Sequence, residues 1–168
     1  MLNHREQENA RGDVSGGICP HCGNKGRLID TQTVKAMLAI PLYVVRAARY
    51  FFCPTAECPI VYFSEDGEQC FVEEELRERV YQKHPTDEDG LICYCFGHTL
   101  GAIRAEWQQT SQSTVTVTIT EAITETITET ITAGTQTGQC ACDIRNPQGS
   151  CCLGNVRRVV QQMTQAER

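Results

Sequence analysis

The chain has little of what would point to a membrane, a nucleic acid or a hydrolytic enzyme. It contains no run of about 18 apolar residues, so no segment is long enough to cross a bilayer as a helix. Positive charge is scarce: 15 Lys and Arg stand against 21 Asp and Glu, a formal net charge of -6, whereas a phosphate backbone calls for a basic surface. Aromatics make up 7% of the residues and there is a single Trp, so 168 residues hold one modest core or two small ones, and small cores need help to be stable. No Ser-His-Asp set, phosphate loop or paired carboxylates suggest catalysis, and the protein is not expected to be an enzyme. The opening residues, Met1 to Asn9, are polar rather than an apolar leader. A reducing, cytoplasmic location is therefore expected, with the thiols on metal rather than in disulfides.

What the chain does have is cysteine, eleven in all, and they fall in clusters. The first set is Cys19-Pro-His-Cys22-Gly23 with Cys53-Pro-Thr-Ala-Glu-Cys58. Two thiolates two residues apart ligate one ion while the turn, eased by Gly23, directs backbone amides at the sulfurs. A second pair about thirty residues on closes a site of four thiolates with no position left for water, which is the pattern of structural zinc. Cys19, Cys22, Cys53 and Cys58 are the expected Zn2+ ligands. His21 lies inside the knuckle as an exposed spectator, a ligand only if one cysteine failed. Cys70 stands alone between Gln69 and Phe71 and reads as a small half-buried residue.

The second set is Cys93-Tyr-Cys95 followed, after a long insert, by Cys140-Ala-Cys142-Asp-Ile-Arg-Asn-Pro-Gln-Gly-Ser-Cys151-Cys152. Four thiolates from two such loops suit an iron-sulfur cluster, because soft sulfur is the ligand that cluster iron takes. Two ferric ions, two sulfides and four thiolates sum to a charge of about -2, which helix N-termini and backbone N–H groups would offset. Gly149 and Gly154 suit a close approach of backbone to sulfur, and Arg145, Arg157 and Arg158 are equally readable as nearby positive charge or as plain surface residues.

Along the chain, residues 1 to 16 read as a disordered tail. The β-branched and aromatic stretch Leu28 to Phe52, broken by Pro41, predicts two or three strands, and Ile60 to Phe63 another. Val72, Leu76 and Val80, four apart among charges, predict an amphipathic helix to Lys83, with a linker over 85–90. Thr99 is a candidate cap for a helix burying Leu100, Ile103 and Trp107. In the Thr/Ile/Glu repeat of 114–132, Ile119, Ile123, Ile127 and Ile131 alternate with Glu121, Glu125 and Glu129. A helix separates the two types onto opposite faces and a strand does not, so a helix is expected, ended near Gly134. Val156, Val159, Val160 and Met163 mark a last helix just after Cys152.

The motifs Cys-Pro-His-Cys, Cys-Pro-Thr-Ala-Glu-Cys followed by Val-Tyr-Phe, Cys-Tyr-Cys and Cys-Asp-Ile-Arg-Asn-Pro-Gln-Gly-Ser-Cys-Cys-Leu-Gly run in this order from Cys19 to Gly154. Together they resemble the N-terminal region of CopZ-type copper chaperones, in which a zinc site precedes a cluster domain like that of bacterioferritin-associated ferredoxin. The resemblance implies an α+β chain: a small zinc-ribbon-like β domain over 17–84 and a small helical [2Fe-2S]-binding domain over 91–168. It implies a [2Fe-2S] cluster on Cys93, Cys95, Cys142 and Cys152. Cys142 matches the single cysteine four residues before Asn-Pro, which leaves Cys140 as a departure or an alternate ligand. Cys152 is preferred to Cys151 because it lies nearer the helix start. The implied function is accessory to copper or heavy-metal homeostasis, with one-electron redox work such as reducing Cu(II) to Cu(I). Expected partners are copper ions, a separate copper-carrier protein or an exporter. A carrier motif MxCxxC does not occur in the chain, so copper carriage would fall to the spare thiols or to that separate carrier. Competing readings are a ferredoxin-like electron carrier without a copper role and a structural double-zinc adaptor.

Overall fold

In the computed structural model, residues 17–111, 130–131 and 133–166 are described, so the expected tail and most of the Thr/Ile/Glu repeat lie outside the described residues. The fold is α+β, an antiparallel sheet unit followed by a small, mainly helical one. The first unit is built on four antiparallel strands in chain order: β1 (Arg27–Ile29), β2 (Tyr50–Phe52), β3 (Ile60–Ser64) and β4 (Cys70–Val72).

Strand β2 explains why three consecutive aromatics are all buried. Side chains alternate faces along a strand. Tyr50 and Phe52 point into a core with Ile29, Val34, Met37, Leu38 and Tyr62, while Phe51 points the other way, onto Phe63 and the cysteines of the first set. Phe51 lies opposite Phe63 in the register, and the two rings stack with centroids 5.6 Å apart. One face of the sheet is thus covered by apolar chain, and the metal-ligand loops lie against Phe51 and Phe63 on the other, where Leu28 at the edge stays exposed.

Two expected elements are replaced. The predicted strands of 28–52 are interrupted by helix α1 (Thr31–Met37), whose cap is Asp30: its side chain accepts from the Gln32 amide at 2.7 Å. Val34, Met37 and Leu38 then fall on one buried face at helical spacing. The predicted helix from Val72 to Lys83 does not form. Val72 ends β4, Glu73–Glu75 and Tyr81–Lys83 make single 3-10 turns, and between them the chain runs alongside the end of α1. The Ala39 amide donates to the Glu75 carbonyl and the Arg77 amide to the Met37 carbonyl, each at 2.8 Å. These bonds hold Leu76 extended opposite Leu38, and Leu76 and Val80 are buried without a helix.

The second unit opens with the hairpin β5 (Leu91–Cys93) and β6 (His98–Thr99), which runs straight into α2 (Leu100–Ser111). Thr99 caps this helix as expected, accepting from the Ala102 amide at 3.1 Å, and Leu100, Ile103 and Trp107 are buried. Residues 130–131 and 133–136 are helical (α3), and α4 (Cys142–Arg145) and α5 (Leu153–Ala166) follow. Ile131, the last isoleucine of the repeat, is fully buried beside Ile92, Leu100, Ile103, Val156 and Val159. Gly134 is not the cap expected: it lies within α3, where a methyl group would collide with the Phe96 ring, and the left-handed residue beyond the helix is Gly138 at φ 73°.

The units are also tied by direct bonds. Tyr62 of β3 donates to the Pro147 carbonyl at 2.6 Å, and the Arg27 guanidinium donates to the Gln148 carbonyl at 2.7 Å. Within the expected linker, the Glu88 carbonyl accepts from Gly101 at 2.8 Å and the Gly90 carbonyl from Leu100 at 3.0 Å, so this stretch braces the start of α2.

Candidate metal centres

The first set assembles as expected. Cys19 and Cys22 come from the turn before β1, Cys53 directly follows β2, and Cys58 precedes β3, so pairing of β1, β2 and β3 brings the two loops face to face. The Cys19 and Cys58 sulfurs are 3.7 Å apart, as are those of Cys22 and Cys53, and all four lie within 4.8 Å of one another. A tetrahedron of zinc–sulfur bonds of about 2.3 Å has an edge of about 3.8 Å. The site therefore fits zinc closely.

Its electrostatics ask for a cation. The amides of Asn24, Thr55 and Ile60 are directed at Cys22, Cys53 and Cys58 in turn. Burial raises all three thiols. At Cys22 the Asn24 amide, the Thr55 hydroxyl 3.6 Å away and the Cys19 and Cys53 thiols together outweigh it and bring the pKa down to about 6. At Cys58 burial wins, followed by its thiol neighbours, and the pKa rises to about 12. Four adjacent thiols cannot all ionise without a positive ion, and a bound dication reverses the penalty. Gly23 holds φ 71° at the knuckle turn, and its amide donates to the Cys19 carbonyl at 2.9 Å. His21 stays exposed, with Nδ1 3.6 Å from the Cys58 sulfur, beside a set already complete. Thr55 was missed in the sequence. Its place inside the loop between two ligands was the available signal.

The second set also converges, with a different shape. Cys93 and Cys152 are buried, Cys95 and Cys142 are half-buried, and the Cys95 and Cys142 sulfurs are 3.6 Å apart. The Cys152 thiol lies beside both Cys93 and Cys142. Backbone amides favour these thiolates too: Ala141 donates to Cys95 at 3.3 Å, the amides of Phe96 and Cys95 lower the Cys93 pKa, and that of Cys152 lowers the Cys142 pKa. Helix α4 starts at Cys142 itself and α5 at Leu153, directly after Cys152. The Cys152 neighbour lowers Cys142 to about 6 against the opposing effect of burial, and lowers Cys93 to about 7. Cys95 is pushed up to about 12, chiefly by burial, and Cys152 is raised further, first by Cys142 and Cys93 and then by burial.

Cys151 is exposed, while Cys152 meets the other thiols, as its place at the helix start suggested. Cys140 comes within 4.8 Å of both Cys95 and Cys142, a grouping that spacing alone did not specify. The amides on sulfur come from Cys95, Phe96, Ala141 and Cys152. Gly149 instead packs against Ile29 and Thr33, and Gly154 lies in α5. Arg145, Arg157 and Arg158 are exposed.

Residues 16–77 match the family model of the CopZ-type zinc-binding domain, described as "Zinc binding domain". This region is CopZ-like. The chain is similar to the copper chaperone CopZ of Archaeoglobus fulgidus, 32% identical over 77 residues, which is 46% of this chain and 36% of that protein, so it spans about a third of the relative's length. The crystal structure of the Archaeoglobus fulgidus CopZ N-terminal domain superposes with a TM-score of 0.60 and 26% identity, covering 84% of this chain and 95% of that one. The CopZ-like sheet unit carries Cys19, Cys22, Cys53 and Cys58 within the matched residues, and its donor set is that of a zinc-binding domain.

Proposed function

We propose that the chain is an iron-sulfur and zinc-binding accessory protein of copper or other heavy-metal handling, with a [2Fe-2S] cluster on Cys93, Cys95, Cys142 and Cys152. The observation that carries this reading is the spread of the four sulfurs. They do not all come within 4.8 Å of one another as the first set does: Cys95 and Cys142 are 3.6 Å apart, and Cys152 lies beside both Cys93 and Cys142. A set of four thiolates spread in this way suits two irons, where one tight tetrahedron suits a single ion. When bound, such a cluster supplies a one-electron couple whose potential follows net charge, hydrogen bonds to sulfur and exposure.

The residues around it fit that use. The amides on Cys93, Cys95 and Cys142 offset the negative charge that reduction adds. Buried Cys93 and Cys152 shut one side from water, while half-buried Cys95 and Cys142 leave an edge for electron exchange. The copper part of the reading rests on the relative, whose printed name is a copper chaperone. In this role one electron reduces Cu(II) to Cu(I), and the cuprous ion passes to a separate carrier protein or exporter. The protein is an electron-carrying accessory and not an enzyme.

Anaerobic reconstitution with metal and sulfide analysis tests the reading. The expected result is a brown protein with about two irons, about two sulfides and about one zinc, bleached reversibly by dithionite. A reconstituted chain free of iron and sulfide overturns it. Adding Cu(II) to the reduced protein should restore the colour and yield Cu(I). Failure of that step alone leaves a ferredoxin-like carrier without a copper role. A second reading has its own support, because the Cys95, Cys140 and Cys142 sulfurs are close enough together for one ion. It makes the chain a double-zinc adaptor, colourless and holding about two zincs.

A further inference from the structure

Three cysteines stand outside the two proposed ligand sets, and their surroundings differ. Cys70 packs beside the aromatic cluster of Phe51 and Phe63 and directs its thiol toward the Gly67 carbonyl at 3.9 Å. Cys151 is exposed. Cys140 is neither packed in an apolar core nor turned out to solvent. It is half-buried, belongs to neither core cluster, and its sulfur lies within 4.8 Å of both Cys95 and Cys142.

The backbone holds it there. Beyond α3 the amides of Gln139 and Cys140 both donate to the Gly134 carbonyl, at 2.8 and 3.2 Å, and this fixes the turn that presents Cys140. Next in the chain, the Ala141 amide donates to the Cys95 sulfur at 3.3 Å, so the backbone between Cys140 and Cys142 is itself tied to the ligand opposite. The other neighbours of the Cys140 sulfur are the Thr135 hydroxyl at 3.3 Å and the Ile131 carbonyl at 3.8 Å. The Thr135 hydroxyl donates its proton to the Ile131 carbonyl at 2.8 Å, so toward Cys140 it is placed to accept from the thiol.

We infer that Cys140 is an exchangeable ligand, able to replace Cys142 opposite Cys95 at the second metal centre. The inference rests on the cluster reading above. In the exchange the iron–sulfur bond to Cys142 breaks, the bond to Cys140 forms, and the proton leaving the Cys140 thiol goes to Cys142. No electron moves and no further reagent is needed. The Cys140-Ala-Cys142 spacing puts both sulfurs on one short stretch whose middle amide is already bound to Cys95, so the swap asks for side-chain rotation more than for loop movement.

Alanine variants test this, because alanine offers no substitute ligand atom. Cys140→Ala, Cys142→Ala, Cys152→Ala and the double variant Cys140→Ala/Cys142→Ala are reconstituted anaerobically with ferrous iron and sulfide. Iron, sulfide and zinc are then measured per chain. The expected result is iron and sulfide near the wild-type level in each of the first two variants, with a shifted visible spectrum in Cys142→Ala, and loss of at least tenfold in Cys152→Ala and in the double variant. One zinc retained in every variant shows that the sheet unit remains folded. Loss of iron in Cys142→Ala as complete as in Cys152→Ala overturns the exchange while leaving the cluster reading intact. A wild-type chain that takes up no iron or sulfide overturns both.

Discussion

The Tyr62 hydroxyl donates to the Pro147 carbonyl at 2.6 Å, and this bond joins strand β3 of the CopZ-like sheet to the loop that leads into Cys152. Tyr62 is fully buried, and burial holds its phenol far above the ordinary tyrosine pKa, so the hydroxyl remains a donor throughout the working pH range. Replacing it with Phe leaves the Pro147 carbonyl unpaired among buried neighbours, which costs about 1 to 3 kcal/mol. Tyr62→Phe is therefore expected to lower the urea midpoint of the second unit, followed through Trp107, the chain's one tryptophan. An unchanged midpoint would show that the loop is held by the Arg27 bond to Gln148 instead.

Removing zinc should unfold the first unit rather than merely loosen it. The cysteine loops form a core with one face of the sheet, where Phe51 and Phe63 lie against Cys19, Cys53 and Cys58. Apparent binding energies for structural zinc are about 10 to 16 kcal/mol, more than a domain of this size keeps in reserve. A strong chelator, or Cys53→Ser, is expected to remove the near-ultraviolet signal of the tyrosines and phenylalanines. Retention of that signal at zero zinc would refute a structural role for the ion.

Much of this was legible in the sequence because metal sites are written in spacing. The grouping of Cys19, Cys22, Cys53 and Cys58 follows from two short motifs, and the capped helix at Thr99 from one polar residue before an apolar period. What spacing did not convey was competition between local and distant bonds. Val72, Leu76 and Val80 keep helical spacing, yet the backbone groups of Glu75 and Arg77 are taken by residues 39 and 37. Val34 stands in the β-branched and aromatic stretch that suggested strands, but Asp30 as a cap outweighed propensity once Val34, Met37 and Leu38 had a sheet to cover. Cys140 shows the same limit in the second site. Its nearness to Cys95 depends on a turn closed on the Gly134 carbonyl, which the motif does not encode.

The thiols of the second set should differ sharply in reactivity when no metal is on them. Cys142, lowered to about 6 by its Cys152 neighbour against the effect of burial, is mostly thiolate at pH 7; Cys95, pushed up to about 12 by burial, is almost wholly thiol. Alkylation of zinc-loaded, iron-free protein, mapped by mass spectrometry, should mark Cys142 well before Cys95 at pH 7. A group whose pKa is depressed loses its thiolate as pH falls through the folded value, so labelling of Cys142 should drop by about tenfold between pH 7 and pH 5. Equal labelling of Cys95 and Cys142 across that range would contradict the arrangement.

Gly149 gives the most direct test of how the two units fit together. It sits at φ 66°, and a Cβ there would lie 3.1 Å from Cγ1 of Ile29 and 3.3 Å from Cγ2 of Thr33, at the start of α1. Gly149→Ala thus carries the left-handed backbone cost, about 1 to 2 kcal/mol, and adds crowding against a core that also holds Met37 and Tyr62. Gly138 separates the two effects, since it has φ 73° and nothing within 4 Å of the position its Cβ would take. Gly138→Ala should show the backbone cost alone, and Gly149→Ala should exceed it by about 1 kcal/mol or more in urea unfolding followed through Trp107. Equal losses in the two variants would mean that the contact of Gly149 with Ile29 and Thr33 yields without cost.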